Sequence, residues 1–146
     1  MAVLISTARK REFVMTAAEL RYLIAIDEIH KETGIGVKLT DIATKMGVSK
    51  VSVYRAAERL EKNGYAARDE KNKVIITELG AKQLRDYMVI IEFIRKALEI
   101  GCGTPSETAY QDAIGVVCAL GEHSRSKVAE YAEAKAEIQL LKKPEA

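Results

Sequence analysis

Residues 39–60 constrain this chain more than any other stretch, because they predict two short helices joined by a tight turn. Thr40 can cap the first helix, since its hydroxyl can accept a backbone N–H that has no helical partner. Gly47 can end that helix, because glycine adopts the left-handed conformation at little cost. The first helix takes one apolar face from Ile42, Ala43 and Met46.

The second of these helices has two different faces. Ser49 is placed to cap it, and Val48 is expected to tuck into the corner between the helices. Its inward face is predicted to carry Val53, Ala56 or Ala57, and Leu60. Its outward face carries Lys50, Ser52, Tyr54, Arg55 and Arg59. This is the plan of a helix-turn-helix that presents its second helix to the major groove of DNA.

A β-hairpin is predicted directly after the second helix. Asn63 and Gly64 end the helix, residues 65–68 form a strand, residues 69–72 form a turn, and residues 73–77 form the returning strand. A helix-turn-helix followed at once by a hairpin is a winged helix. The order and the spacing of these elements agree, which favours this fold over a helical hairpin beside an unrelated ribbon.

Charge is distributed unevenly along the chain. Residues 38–73 hold nine Lys and Arg against five Asp and Glu, a net +4, whereas the whole chain carries +2, so the remainder carries about −2. The positive charge therefore lies on the motif that would meet phosphates. Two cysteines make no disulfide framework, and no stretch predicts a signal peptide or a membrane span, so we expect a cytoplasmic protein with no membrane partner.

Further helices flank the winged helix. Residues 16–31 predict a helix with a Thr16–Glu19 capping box, and residues 37–39 predict a short strand beside the wing. Three more helices are predicted over residues 81–100, 106–120, and from Ser124 or Ser126 to 141. We therefore predict a DNA-binding domain at 1–80, with an extra N-terminal segment at 1–14, and a helical domain at 81–146.

The helical domain has more apolar surface than it can bury alone. Residues 88–94 are apolar nearly all round, and such a helix must be buried on more than one side. Symmetric dimerisation meets this need, and a two-fold dimer would present two recognition helices to the half-sites of a palindromic operator in double-stranded DNA. We therefore predict a homodimer.

The chain resembles the diphtheria toxin repressor family, in particular its short, two-domain manganese-regulator branch. The resemblance covers about residues 15–141 and rests on MTAAELRYLIAI, LTDIATKMGVSKVSVYRAAERLEKNGY, VIITELGAKQL and the order of the later helices. It implies a mainly α fold with a small β-wing, in which a winged helix-turn-helix precedes an all-helical dimerisation domain.

The same resemblance implies metal ligands that this chain does not carry. Matched by spacing, the family's ligand positions fall on Arg21 and Ile24, near Ile90, and on Ile114, Val117 and Cys118. Manganese and iron(II) need carboxylate oxygen or imidazole nitrogen at several positions. We therefore predict no metal site and no cofactor, and a dimer that is competent for DNA binding without metal.

Nine residues are predicted to contact DNA. Arg55 is the candidate for a base edge, because its guanidinium fork can pair with guanine. Thr40 can offer its hydroxyl and its N–H to a phosphate. The full predicted set is Thr40, Ser49, Lys50, Ser52, Tyr54, Arg55, Arg68, Lys71 and Lys73.

These observations favour a dimeric, sequence-specific transcription regulator, with repression the favoured direction. One alternative is a winged helix used for protein contact. Another is a regulator that senses metal through other ligands or redox state through Cys102 and Cys118. No Gly-rich phosphate loop and no nucleophile with its base is recognisable, so the sequence does not predict an enzyme.

Overall fold

The computed structural model describes the backbone of residues 15–142 and the side chains through residue 138, so the predicted segment 1–14 lies outside the described residues. The elements in chain order are α1 (Ala17–Thr33), α2 (Leu39–Met46), α3 (Lys50–Lys62), β1 (Ala66–Arg68), β2 (Val74–Ile76), α4 (Glu78–Lys96), a π-helical turn (Ala97–Gly101), α5 (Ser106–Ala119) and α6 (Glu122–Lys142). This order confirms the predicted fold class. The chain divides into two compact units between Leu84 and Arg85, inside α4.

Helix α1 begins with the capping box that its sequence predicts. The Thr16 hydroxyl accepts a hydrogen bond from the Glu19 N–H at 3.1 Å, and the Thr16 N–H donates to the Glu19 carboxylate at 3.4 Å. The reciprocal bonds satisfy backbone groups that a helix start otherwise leaves unpaired. The helix buries one apolar face, formed by Leu20, Leu23, Ile26 and Ile29.

Helix α2 begins two residues earlier than a cap at Thr40 would place it. Lys38 occupies the cap position and provides no side-chain cap, so the predicted capping role of Thr40 is wrong. The reason lies just before it: Val37 and Val74 exchange two backbone hydrogen bonds, of 2.9 and 2.8 Å, in an isolated bridge beside the wing. This bridge keeps the chain extended up to Lys38, and the helix therefore starts at Leu39.

The turn between α2 and α3 follows the predicted plan with one difference. Gly47 has a φ of 65°, in the left-handed region, and the Val48 N–H reaches the Ala43 carbonyl at 3.1 Å. The backbone alone thus closes the turn. Val48 is 37% exposed, so the expectation that its side chain tucks into the corner is wrong.

Helix α3 is held on the first unit by its apolar stripe. Ser49 caps the helix as predicted, its hydroxyl accepting from the Ser52 N–H at 3.1 Å. The α3 helix packs on both α1 and α2. Its buried residues are Val53, Ala56, Ala57 and Leu60.

The wing is a short antiparallel hairpin in which Ala66 pairs with Ile76 and Arg68 with Val74. Its turn is held by the Asp69 carboxylate, which accepts the N–H groups of Lys71 and Lys73, each at 2.9 Å. The first strand begins one residue later than predicted and ends as predicted, the second is one residue shorter at each end, and the hairpin itself is as predicted.

The wing leads directly into α4 through a tight junction. The Thr77 hydroxyl donates to the Gly64 carbonyl at 2.6 Å and accepts from the Gly80 N–H at 3.0 Å. Thr77 therefore caps α4 while it holds the end of α3. A Cβ on Gly80 would stand 2.0 Å from the Tyr65 carbonyl oxygen, so only glycine fits there.

The second unit consists of the rest of α4, the π-helical turn, α5 and α6. The α-helix predicted over residues 81–100 ends at Lys96 and continues as the π-helical turn. The buried side chains of this unit include Tyr87, Ile90, Ile91, Ala109, Ala113, Ile114, Val117 and Ala132. Over the described residues, no helix is both long and apolar enough to cross a bilayer.

Replacing Gly80 with alanine should destabilise the first unit by roughly 3 kcal/mol, because the new methyl group would collide with the rigid Tyr65 carbonyl. Chemical denaturation followed by circular dichroism measures this change. The matched control is Gly115→Ala in α5, where an added Cβ meets open space. There the higher helix propensity of alanine should stabilise the chain by up to about 1 kcal/mol. Equal effects of the two substitutions would contradict the close approach.

Candidate nucleic-acid interface

The outward face of α3 is a compact surface of mixed chemistry. Its first two turns expose Lys50, Val51, Ser52, Tyr54 and Arg55. The first turn holds no acidic residue. The unpaired N–H groups of a helix start and the cations beside them therefore act with the same sign. A surface of this kind attracts phosphates.

The two serines at the start of α3 are fixed by one another. Ser49 accepts the Ser52 N–H, and the two hydroxyl oxygens lie 3.0 Å apart. Both residues are exposed. Each hydroxyl retains hydrogen-bonding capacity beyond this contact, since a hydroxyl has one proton and two lone pairs. The pair can therefore offer ordered polar groups to a ligand.

Two cations of this face, Lys50 and Arg55, have no acidic partner among the described residues. Lys50 and Arg55 are exposed, and neither forms an ion pair with any residue between 15 and 138. An exposed guanidinium keeps five donors in a planar fork, which suits the paired acceptors of a guanine edge or a phosphate. The structure thus leaves Arg55 pointing away from the core, as predicted.

Val51 belongs to this face and was missed by the sequence analysis. It is 59% exposed, between Lys50 and Ser52 on the first turn of α3. The sequence held a signal for it, since position 51 does not share the helical spacing of the buried stripe that begins at Val53. An exposed aliphatic side chain on a recognition helix can contact the methyl group of thymine.

Arg68 was predicted to contact DNA from the wing, but in the structure its side chain packs against α3. Its side chain is only 14% exposed, with its guanidinium carbon 4.6 Å from the centre of the Tyr54 ring and its Nε 3.5 Å from the Glu61 carboxylate. Nη1 donates to the Asn72 side chain at 3.3 Å, whereas Nε and Nη2 are buried without a hydrogen bond among the described residues. Arg68 therefore ties the wing to α3.

The remaining predicted residues lie on α2 and on the wing. Thr40 is exposed on the first turn of α2, where its carbonyl accepts the Thr44 hydroxyl at 3.0 Å. Lys71 is exposed at the tip of the wing. Lys73 is half-buried, because its aliphatic stem covers Gly36. Lys71 thus has more freedom to reach a ligand than Lys73.

The positions matched to family metal ligands do not fit a metal. Ile90, Ile114 and Val117 are 2%, 1% and 0% exposed and carry no donor atom. Arg21 and Ile24 in α1 offer no oxygen or imidazole nitrogen either. Within the described part of the chain, no three His, Cys, Asp or Glu side chains come together as a group that could hold a metal ion.

The two cysteines lie in different parts of the second unit. Cys102 is exposed after the π-helical turn, and Cys118 is half-buried in α5. No disulfide joins them in this structure.

The fold and this surface define a winged helix-turn-helix joined to an all-helical unit. No protein-family model matches the sequence, and no curated protein matches it. Solved structures with a similar fold include the hypothetical protein SSo2273 from Sulfolobus solfataricus, with a TM-score of 0.61 at 22% identity over 80% of this chain and 88% of the other.

Two other solved structures have a similar fold, and one of them is described as a regulator. IdeR of T. acidophilum gives a TM-score of 0.60 at 22% identity over 77% of this chain and 52% of its own. The manganese regulator SloR gives 0.65 at 16% identity over 79% and 53%. This chain thus spans about half the length of these two structures. The comparison confirms the predicted resemblance to metal-dependent regulators of the diphtheria toxin repressor family at the level of fold.

The contact between Tyr54 and Arg68 should be measurable as a coupling energy. In a double-mutant cycle of Tyr54→Ala with Arg68→Gln, we expect about 1 kcal/mol of coupling in the free energy of unfolding, because the ring face attracts the guanidinium. Tyr54→Phe should keep most of it. A control cycle of Tyr54→Ala with Lys71→Gln should show none, and equal values in the two cycles would rule the contact out.

Proposed function

We propose that this protein is a homodimeric, sequence-specific DNA-binding transcription regulator that acts as a repressor and binds DNA without a metal ion. The observation that carries the proposal is the outward face of α3. It combines exposed, unpaired cations with polar and apolar side chains at the start of a helix that its buried stripe holds on the first unit. The fold shared with structures such as the manganese regulator SloR supports the same class.

The proposed complex places the first half of α3 in the major groove. Arg55 reads a base edge, with Lys50 and Ser52 beside it and Val51 against a thymine methyl. Ser49 lies at the mouth of the groove. Thr40 on α2 and the wing residues Lys71 and Lys73 contact phosphates, which set the register of the protein on the duplex.

Tyr54 and Arg68 have a different role in this proposal. Because Arg68 is largely buried against Tyr54 and Glu61, it positions the wing instead of reaching for DNA itself. The exposed edge of Tyr54, which is 45% exposed, remains available for a contact with the duplex.

The dimer is supported by the second unit. Val116 in α5 is 41% exposed and Ile138 in α6 is 49% exposed, although both are large apolar side chains. Covering such side chains with a second copy removes apolar surface from water. A symmetric pair would also match a palindromic operator.

Metal independence is supported by the side chains at the matched positions. Burial of Ile90, Ile114 and Val117 contributes roughly 1.5–3 kcal/mol each to folding, without any metal ion. These positions thus supply packing where the family implies ligands. We therefore propose a regulator that needs no metal ion, whereas SloR is described as a manganese regulator.

Replacing Arg55 with alanine should weaken binding to the operator by about tenfold or more, the ~1–3 kcal/mol that a paired contact to a base edge supplies. Operators selected from random duplexes and measured by fluorescence anisotropy give this change. The control is Lys31→Ala, which removes an exposed cation of α1 that pairs with Asp27. That variant should bind as the unaltered protein does.

The same measurement distinguishes the competing functions. For DNA binding, affinity falls steeply as salt rises, because condensed counterions are released on association. If no duplex is selected, or if the affinity for the duplex does not change with salt concentration, the proposal of DNA binding fails. The winged helix would then serve protein contact. Sedimentation of the free protein tests the dimer directly, and a monomer at micromolar concentration contradicts it.

Neither manganese nor a chelator should change operator affinity beyond about twofold, because a ligand without preferential affinity for one state shifts no equilibrium. Titrations with manganese chloride, with iron(II) under anaerobic conditions and with EDTA test this. A large gain in affinity with either metal would refute metal independence while leaving DNA binding intact.

A further inference from the structure

The second unit contains a cavity that the winged helix does not explain. It measures about 800 Å³ and lies between the C-terminal half of α4, the π-helical turn and α6. Small-molecule sites in proteins have volumes of roughly 300–1,000 Å³. Its walls are mostly apolar and include Met88, Val89, Phe93, Ala97, Ile100 and Ala132.

Specific contacts hold α6 beside α4. Phe93 and Tyr131 meet edge to face, with ring centres 5.5 Å apart. Arg125 lies over the Tyr87 ring at 5.5 Å and donates to the Leu120 carbonyl. These contacts join residues of both helices, so they hold in place the two helices that line the cavity.

The π-helical turn forms one end of the cavity. It supplies Ala97, Ile100 and Gly101 to the lining, and a Cβ on Gly101 would meet nothing within 4 Å. Ile100 is 82% exposed, so its side chain has no packing partner that covers it. Single π-helical turns occur frequently at functional sites, because the wider turn displaces the residues that follow it.

The charges around the cavity are unbalanced. Its lining holds three cations, Arg85, Lys96 and Lys135, and two carboxylates, Glu92 and Glu133. Glu92 is already bound by both sides of the Arg95 guanidinium, at 2.8 and 3.3 Å. The hydrogen bond and the charge of Glu92 also raise the pKa of Arg95 above its ordinary value.

The cations of the lining are not neutralised by a carboxylate, although the Lys135 ammonium lies over the Tyr131 ring, 5.5 Å from its centre. None of the three forms an ion pair with any other residue in the described part of the chain. The lining therefore carries a net +1, and this sum does not change when Arg95 and its second partner Glu99 are included. A mostly apolar lining with a net positive charge matches a molecule with an anionic head and an apolar body.

We propose that this cavity binds an amphipathic organic anion, with its apolar body between α4 and α6 and its carboxylate or sulfonate at cations of the lining. The site is defined by the second unit alone. Its use as an effector site rests on the proposed function, and ligand binding is therefore measured without DNA, so that either proposal can fail separately.

The test uses 8-anilinonaphthalene-1-sulfonate, whose fluorescence rises in apolar surroundings. The full chain should bind it saturably, with one probe per chain. Dodecanoate and 2-naphthoate represent fatty and aromatic anions, and at least one of them should displace the probe. Dodecanol and dodecyltrimethylammonium, which lack the negative head, should compete about tenfold more weakly or worse, the difference that ~1.4 kcal/mol makes.

Matched variants locate the probe. Ala136→Trp places a large ring in the lining and should weaken binding by about tenfold or more, whereas Ala134→Trp, two residues along α6 and outside the lining, should not. Lys96→Gln combined with Lys135→Gln should weaken binding of the anions, and Lys127→Gln should leave it unchanged. Circular dichroism verifies that each variant is folded.

Three results would overturn the proposal. The first is unchanged probe binding in folded Ala136→Trp, because the probe would then bind elsewhere. The second is equal competition by neutral, cationic and anionic amphiphiles, because the cations of the lining would then not select for a negative charge. The third is a chain dimer, detected by sedimentation, that excludes the probe until it dissociates, because the cavity would then be a subunit interface.

Discussion

The burial of one stripe of α3 is the interaction on which the rest of the first unit depends. Val53, Ala56 and Leu60 are at most 1% exposed, and two of these side chains are small or branched close to the backbone. Helices approach closely where the side chains at the contact are small, and the helix then has little freedom to rotate about its axis. Fixing the inward stripe therefore fixes the outward residues as well, from Lys50 to Arg55.

Local chemistry explains why much of this unit could be predicted from its sequence. Caps, glycine turns and apolar spacing act over a few residues, and they placed α1, the helix-turn-helix and the hairpin correctly. Thr40 was misjudged because the decisive contact is remote: Val37 bonds to Val74, which lies 37 residues further along the chain. Pairing across such a separation leaves no local pattern in the sequence.

The candidate interface was harder to predict than the fold, for a related reason. An arginine in a polar hairpin is usually solvated, yet Arg68 packs on a ring from α3. The reverse holds for Val51, an aliphatic residue that its position on the helix leaves in water. The cavity of the second unit also escaped the sequence analysis, because it depends on the place where α4 becomes a π-helical turn.

The aliphatic residues at Ile90, Ile114 and Val117 also change what folding of the second unit requires. A metal centre couples folding to the pH and to the ion supply, because its ligands must lose protons and the ion must be present. Buried Ile and Val need neither. The packing of these three positions is therefore independent of metal supply.

The stacking of Arg68 on Tyr54 has a consequence for the kinetics and the affinity of any encounter at this surface. A hairpin attached only by its ends samples many orientations, and most of that freedom is lost when a partner docks. Here a guanidinium clasped between an aromatic ring and a carboxylate has already removed much of it during folding. A partner therefore meets a preorganised surface and loses less conformational entropy on association.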